Sequence, residues 1–321
     1  MANLYKTLLI FIHGFRGSDK TFKDFPEDLE KLIPNSKSIV YPRYETRGDL
    51  NRAVRTLCEW LEKRVAEHQT YNTEVVVCLL GHSMGGIAGA EAILAYTDNT
   101  NCPIKFIGLI AYDTPFFGVH KNVHTSAANR VQTVTRDAME TYSTISSAFT
   151  KSSTNAPKPR SSETTTKTVT SGTGTSKKKS FGLWETLATT AVVAVGGYAA
   201  YSNREKLSET LKWVGDHLEY VSVLADEDEC QRRVDGILEH SDEIVFRCFY
   251  TMIPSTVAGT PSRTFITLPP KPIPPYFIAI SNQSRDEIDA HVTMFQPEIN
   301  QHYNRLLQAT TKLVTKRLQQ M

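Results

Sequence analysis

The sequence has no CxxC pair, and its five cysteines (Cys58, Cys78, Cys102, Cys230, Cys248) follow no regular spacing. An odd, unpatterned set offers no disulfide framework and suits a reducing compartment. Cys78 and Cys248 sit inside apolar strand patterns, where a thiol serves as a small buried filler. Excess charge of one sign is also missing. With 36 Lys and Arg against 34 Asp and Glu, the formal net charge of +2 gives no overall attraction to nucleic acid. No secretory leader is read at the start, because the apolar run Leu8–Ile12 is short and passes directly into His13-Gly14. The expected location is therefore intracellular, in the cytoplasm or at the face of an internal membrane. What is present is a chain of 321 residues with 40% hydrophobic content. That is enough for one large α/β domain with an insertion, or for two small domains.

The most informative stretch is Val75-Val76-Val77-Cys78-Leu79-Leu80 followed by Gly81-His82-Ser83-Met84-Gly85-Gly86. Six apolar residues, half of them β-branched, predict a strand buried on both faces. An alanine-rich helical pattern, Ile87–Tyr96, follows at once. Strand, tight turn and helix is the context in which G-x-S-x-G carries chemistry. Such a turn strains the serine backbone and requires neighbours without a Cβ. It exposes the hydroxyl at the sheet's edge, with the helix N-terminus aimed at any oxyanion formed there. Further strands are predicted at Leu4–Ile12, Ser38–Tyr41, Ile104–Ala111, Ile244–Met252 and Tyr276–Ile280, and helices at Phe22–Leu32 and Asp49–Gln69. The second helix carries one continuous apolar stripe from Leu50 to Val65, including Trp60. Alternating strands and helices imply an α/β fold with a mostly parallel central sheet.

At these residues the chain resembles the α/β-hydrolase fold, in its serine esterase and lipase branch. The resemblance covers residues 4–118 and 244–318. The pairing of Tyr112-Asp113-Thr114-Pro115-Phe116-Phe117-Gly118 with a late Asp286-Glu287-Ile288-Asp289-Ala290-His291 is similar to a group of eukaryotic serine esterases. It implies a Ser-His-acid triad working through an acyl-enzyme, with Ser83 as nucleophile. His13-Gly14-Phe15-Arg16-Gly17 resembles the family's oxyanion loop, so the backbone N–H groups of Phe15 and Met84 are the expected oxyanion donors. His13 is expected to brace that loop. The family's histidine lies beyond the last strand, which leaves His291 in a loop as the base.

The acid is the open choice. Asp113 ends the strand after the elbow, on the ligand side of a parallel sheet, and the alternative is a turn-initiating Asp before Thr114-Pro115. No Asp or Glu follows the Ile244–Met252 strand before Asp286, so the position most family members use is empty. Asp286 is the fallback acid. The resemblance calls for no metal or cofactor. The acidic tetrad Asp226–Glu229 is read as a helix N-terminus rather than a metal site.

The middle of the chain resembles nothing identified. Ser143–Ser180 holds 20 Ser or Thr, seven Lys or Arg and one acid, Glu163, too little apolar surface to offset ordering entropy, so residues 150–180 are expected to be disordered. Residues 183–201, rich in Ala, Gly, Thr and Val, are either a weak membrane anchor or a lid over the site. The expected organisation is a hydrolase core in two parts, 1–125 and 244–321, interrupted by a helical cap at 126–243. The expected activity is hydrolysis of a carboxylic, lipid-like ester, with Phe15, Phe116 and Phe117 near the mouth. A thioesterase or peptidase would use the same triad. A catalytically silent, membrane-tethered scaffold is the reading from another class.

Overall fold

The computed structural model describes residues 5–14, 17–42, 44, 50–97, 102–123, 125–126, 129–130, 227–255, 261–270 and 276–321. The chain divides into two compact units, Met1–Ala127 with Asp216–Met321, and Ala128–Gly215. All described residues but Asn129 and Arg130 belong to the first. The expected disordered loop at 150–180 and the anchor or lid at 183–201 lie outside the described residues.

The described residues form one sheet from β1 (Tyr5–Ile12), β2 (Ser36–Val40), β3 (Glu74–His82), β4 (Lys105–Tyr112), β5 (Val245–Ile253), β6 (Arg263–Thr264) and β7 (Phe277–Ser281). Its order is β2-β1-β3-β4-β5, with β7 parallel to β5 and β6 antiparallel to β5's last two residues. The other pairings are parallel. The central strands β1, β3 and β4 are buried on both faces, as their uninterrupted apolar runs require.

The strand period of two sends alternate side chains to opposite layers. Leu9 and Phe11, then Val76, Cys78 and Leu80, then Ile110 and Tyr112 share one core with α1 (Phe25–Leu32) and α6 (Tyr303–Gln319). On the other face lie α2 (Leu50–His68) and α3 (Met84–Thr97), where Gly89 packs against the side chains of Leu109, Ile12 and Leu79. Helix α3 is buried on nearly every side, which accounts for its lack of a polar face. All five cysteines are free thiols, and burial pushes that of Cys78 up to about 12.

One boundary differs from the expected one. Helix α4 (Glu227–Glu239) was placed in the cap by sequence, but it packs on α3 as part of the core. The close approach of Gly236 to Leu94, and the Arg233 guanidinium 2.5 Å from the Glu91 carboxylate, fasten the two helices. The physical reason is α4's apolar face, on which Cys230, Val234 and Ile237 are all buried. Strand β6 was not predicted; two residues are too few to show a period.

Candidate active site

The ends of three neighbouring strands, β1, β3 and β4, build the site. Ser83 follows β3 directly and has φ +56°, a left-handed conformation that costs a non-glycine residue about 1–2 kcal/mol. Its amide donates to the Tyr112 carbonyl at 2.9 Å, so β4 holds the turn in place. The turn is tight enough that a Cβ on Gly85 would lie 2.0 Å from the Ile12 carbonyl oxygen, and one on Gly86 would lie 2.1 Å from the Thr114 hydroxyl. Met84 begins α3, and its N–H stands among the unbonded donors of that helix's first turn. These donors and the helix dipole favour an anion beside Ser83.

The loop after β1 approaches from the other side. A Cβ on Gly14 would come within 2.6 Å of the Ser83 Cβ and 3.1 Å of its Oγ. Only a glycine lets this loop lie against Ser83. His13 is fully buried, its Nδ1 3.0 Å from the Gly14 carbonyl and its ring stacked on Tyr44, whose hydroxyl donates to the His13 carbonyl at 2.9 Å. Phe15, the expected second oxyanion donor, lies outside the described residues.

Asp113, one residue past β4, is also left-handed at φ +49° and fully buried. Its Oδ1 accepts the Thr251 backbone N–H at 2.9 Å, and its Oδ2 accepts the Thr251 hydroxyl at 2.7 Å. The same Oδ2 is 2.9 Å from His291 Nδ1. Burial raises this carboxyl to about 6, against the two Thr251 hydrogen bonds and the nearby His82, which favour the charged form. At neutral pH it is ionised, so His291 Nδ1 carries the proton of that bond and Nε2 presents its lone pair. Burial pushes the His291 imidazole down to about 3, which keeps the ring neutral.

His291 was expected in a loop; it lies in the last turn of a short helix, α5 (Glu287–Val292). Asp286 explains the difference. Its side chain caps that helix by accepting the Asp289 N–H at 2.9 Å, which makes the fallback acid a structural cap while His291 holds Asp113 instead. Helix α5 is anchored from behind by Phe295, which packs on Phe22, Phe25 and Tyr112 at centroid distances of 5.0–5.1 Å. His291 lies against His82, the residue before Ser83, with ring centroids 4.5 Å apart. Residues separated by about two hundred positions therefore meet at one corner of the sheet.

Phe116 is not at a mouth. It is buried and packs edge-on against Phe246 at 5.6 Å. Two residues that no sequence pattern singled out belong to the site: Thr251, which holds the carboxylate, and Phe265, stacked on the His291 ring. Among the described residues no group of three or more His, Cys, Asp or Glu is disposed to hold a metal ion. No described helix is long and apolar enough to cross a membrane.

The model of the family described as "Putative serine esterase (DUF676)" matches residues 4–162. No curated protein matches the chain by sequence. Among solved structures, the chain is similar to a phospholipase, PlaB from Legionella pneumophila, at 18% identity over 35% of this chain and 26% of that one, with a TM-score of 0.29. A cutinase-like protein from Cryptococcus sp. gives 16% identity over 36% and 57%, with a TM-score of 0.28. MenH from S. aureus gives 20% identity over 42% and 47%, with a TM-score of 0.26. In each case the match spans less than two thirds of the other protein.

Proposed function

We propose that this chain, whose mostly parallel sheet and match to a serine esterase family over residues 4–162 are those expected of an α/β-hydrolase, hydrolyses a carboxylic ester through Ser83, His291 and Asp113. The observation that carries the reading is the Asp113–His291 hydrogen bond at 2.9 Å beside a left-handed serine at a helix N-terminus. In this mechanism His291 Nε2 takes the Ser83 proton as Oγ attacks the acyl carbonyl. The imidazolium that forms is stabilised by the ionised Asp113, which does not itself take the proton. The negative charge on the tetrahedral intermediate falls to the Met84 N–H and the first turn of α3, with Phe15 N–H as the second donor. Collapse breaks the bond to the alcohol, which leaves with the proton from His291. Water then attacks the acyl-enzyme by the same steps in reverse and releases the acid.

The acyl group we propose is apolar. Val292, next to His291, and Leu268, three residues past Phe265, are among the few large apolar side chains left exposed among the described residues. Thioesters and peptides remain substrates for the same machinery, so a test panel includes them. Purified full chain with p-nitrophenyl esters of graded acyl length is expected to show turnover that Ser83→Ala abolishes. Equal turnover by that variant overturns the assignment of Ser83, and no turnover on any ester, thioester or peptide overturns the proposal in favour of a silent scaffold.

A further inference from the structure

The His291 imidazole is held between two other rings. The Phe265 ring lies 3.7 Å away, centroid to centroid, tilted by 10°, and the His82 ring lies 4.5 Å away, tilted by 28°. Two rings stacked at such distances cannot share one face of an imidazole, so they occupy opposite faces. Each is fixed in turn. His82 Nε2 is 3.2 Å from the His291 carbonyl oxygen, which can only accept, so that nitrogen carries a proton. The edges of Phe22 and Phe295 then confine the His82 ring. Phe265 accepts the His120 N–H at 2.8 Å, and an antiparallel bridge joins its neighbour Ile266 to Val119. On its other side Arg263 reaches the buried Glu287 carboxylate of α5 at 3.3 Å.

We propose that Phe265 and His82 are positioning residues that act through His291, forming an aromatic clamp that fixes the plane of its ring. The proposal rests on the reading of His291 as the base. A hydrogen bond at Nδ1 anchors one point of the ring and does not by itself fix its tilt. Two flanking rings remove that tilt and hold Nε2 on the line to the nucleophile, where a displacement of about 1 Å can cost a hundredfold in rate. When the ring takes the serine proton, its positive charge lies over the π face of Phe265, which attracts it. The charged and titratable groups around the ring are Asp113 at the end of β4, His82 at the end of β3 and Glu287 on α5, the last bound by Arg263 and by the Ser126 hydroxyl. Behind Asp113 lies Cys248 of β5, whose buried thiol stays protonated.

A clamp and plain core packing make different predictions, because packing needs volume and the clamp needs a ring. The experiment measures ester turnover and fluorophosphonate labelling against pH for full-length wild type, Phe265→Leu, Phe265→Tyr, His82→Gln and His291→Ala, each checked for folding by thermal melting. Glutamine at 82 keeps a donor for the His291 carbonyl and removes the ring. Phe265→Leu and His82→Gln are each expected to lower kcat by about 10–100-fold with KM within about threefold of wild type, and Phe265→Tyr to restore most of the rate. If both ring-removing variants keep wild-type kcat while His291→Ala is inactive, the clamp is wrong and the base assignment stands. If His291→Ala labels at the wild-type rate, the base assignment itself has failed. Should Phe265→Leu not fold, His82→Gln decides alone.

Discussion

Replacing Asp113 with asparagine changes one atom, and the structure dictates where that atom goes. At the Oδ1 position the partner is the Thr251 backbone N–H, which can only donate, so the asparagine oxygen must stay there. The new NH2 group then occupies the Oδ2 position, facing His291 Nδ1 and the Thr251 hydroxyl. The hydroxyl can turn to accept, but Nδ1 must give up its proton. That proton moves to Nε2, the nitrogen that has to receive the one from Ser83. The wrong tautomer in an otherwise intact site lowers kcat by about 10⁴-fold, as the same exchange does in another Ser-His-Asp enzyme, which is about 5.5 kcal/mol of barrier. Stability is expected to move the other way. A carboxyl held at about 6 in the fold and near 3.8 in the unfolded chain favours folding when protonated. That contribution is fully present below pH 3.8 and is lost as pH rises through about 6, at a cost of about 3 kcal/mol at neutral pH. Asp113→Asn is therefore expected to melt at or above the wild-type temperature at pH 7.5 while labelling with a fluorophosphonate about 10⁴-fold more slowly. Labelling within tenfold of wild type, together with a slow Asp286→Asn variant, refutes the reasoning.

The labelling rate of wild type should fall about tenfold per pH unit below about 6, where the Asp113–His291 pair takes up its first proton; a flat profile down to pH 5 contradicts this. Gly85→Ala drives a Cβ into the Ile12 carbonyl and should destabilise by about 3 kcal/mol in urea unfolding. Gly118→Ala has open space and only a φ of +89° against it, so it should lose about 1–2 kcal/mol. Glu91→Gln leaves the buried Arg233 guanidinium without its closest carboxylate and should cost about 3 kcal/mol. Glu74→Gln, which breaks an exposed pair with Lys105, should cost less than about 1 kcal/mol. Equal thermal shifts for these last two variants would contradict α4's place in the core.

The parts of this site that a reader of the sequence can find are those with a local signature. A doubly buried strand, three glycines and an apolar helix mark the Ser83 turn, and each glycine answers to a backbone or side-chain atom that leaves no room for a Cβ. Asp113 is found by its place at the end of β4 and by the missing acid after β5. The parts that escape have no pattern to carry them. Thr251 is one hydroxyl in a strand where any β-branched residue would pack. Phe265 follows a strand of two residues and meets His291 only through the fold. The helix around His291 was legible in principle: Asp286 as an N-cap with Glu287 and Asp289 in the first turn is a helix-start signal, whereas Asp286 reads as a spare acid. Helix α4 was assigned to the cap because its neighbours in sequence lie there, whereas its apolar face finds α3.

The most direct test of the central claim is mass-spectrometric mapping of a fluorophosphonate adduct on the full chain. One adduct is predicted, on the Ser83 Oγ, absent from Ser83→Ala and strongly slowed in His291→Ala. An unmodified Ser83 peptide after exhaustive labelling at pH 8, or undiminished labelling of Ser83→Ala, would contradict it.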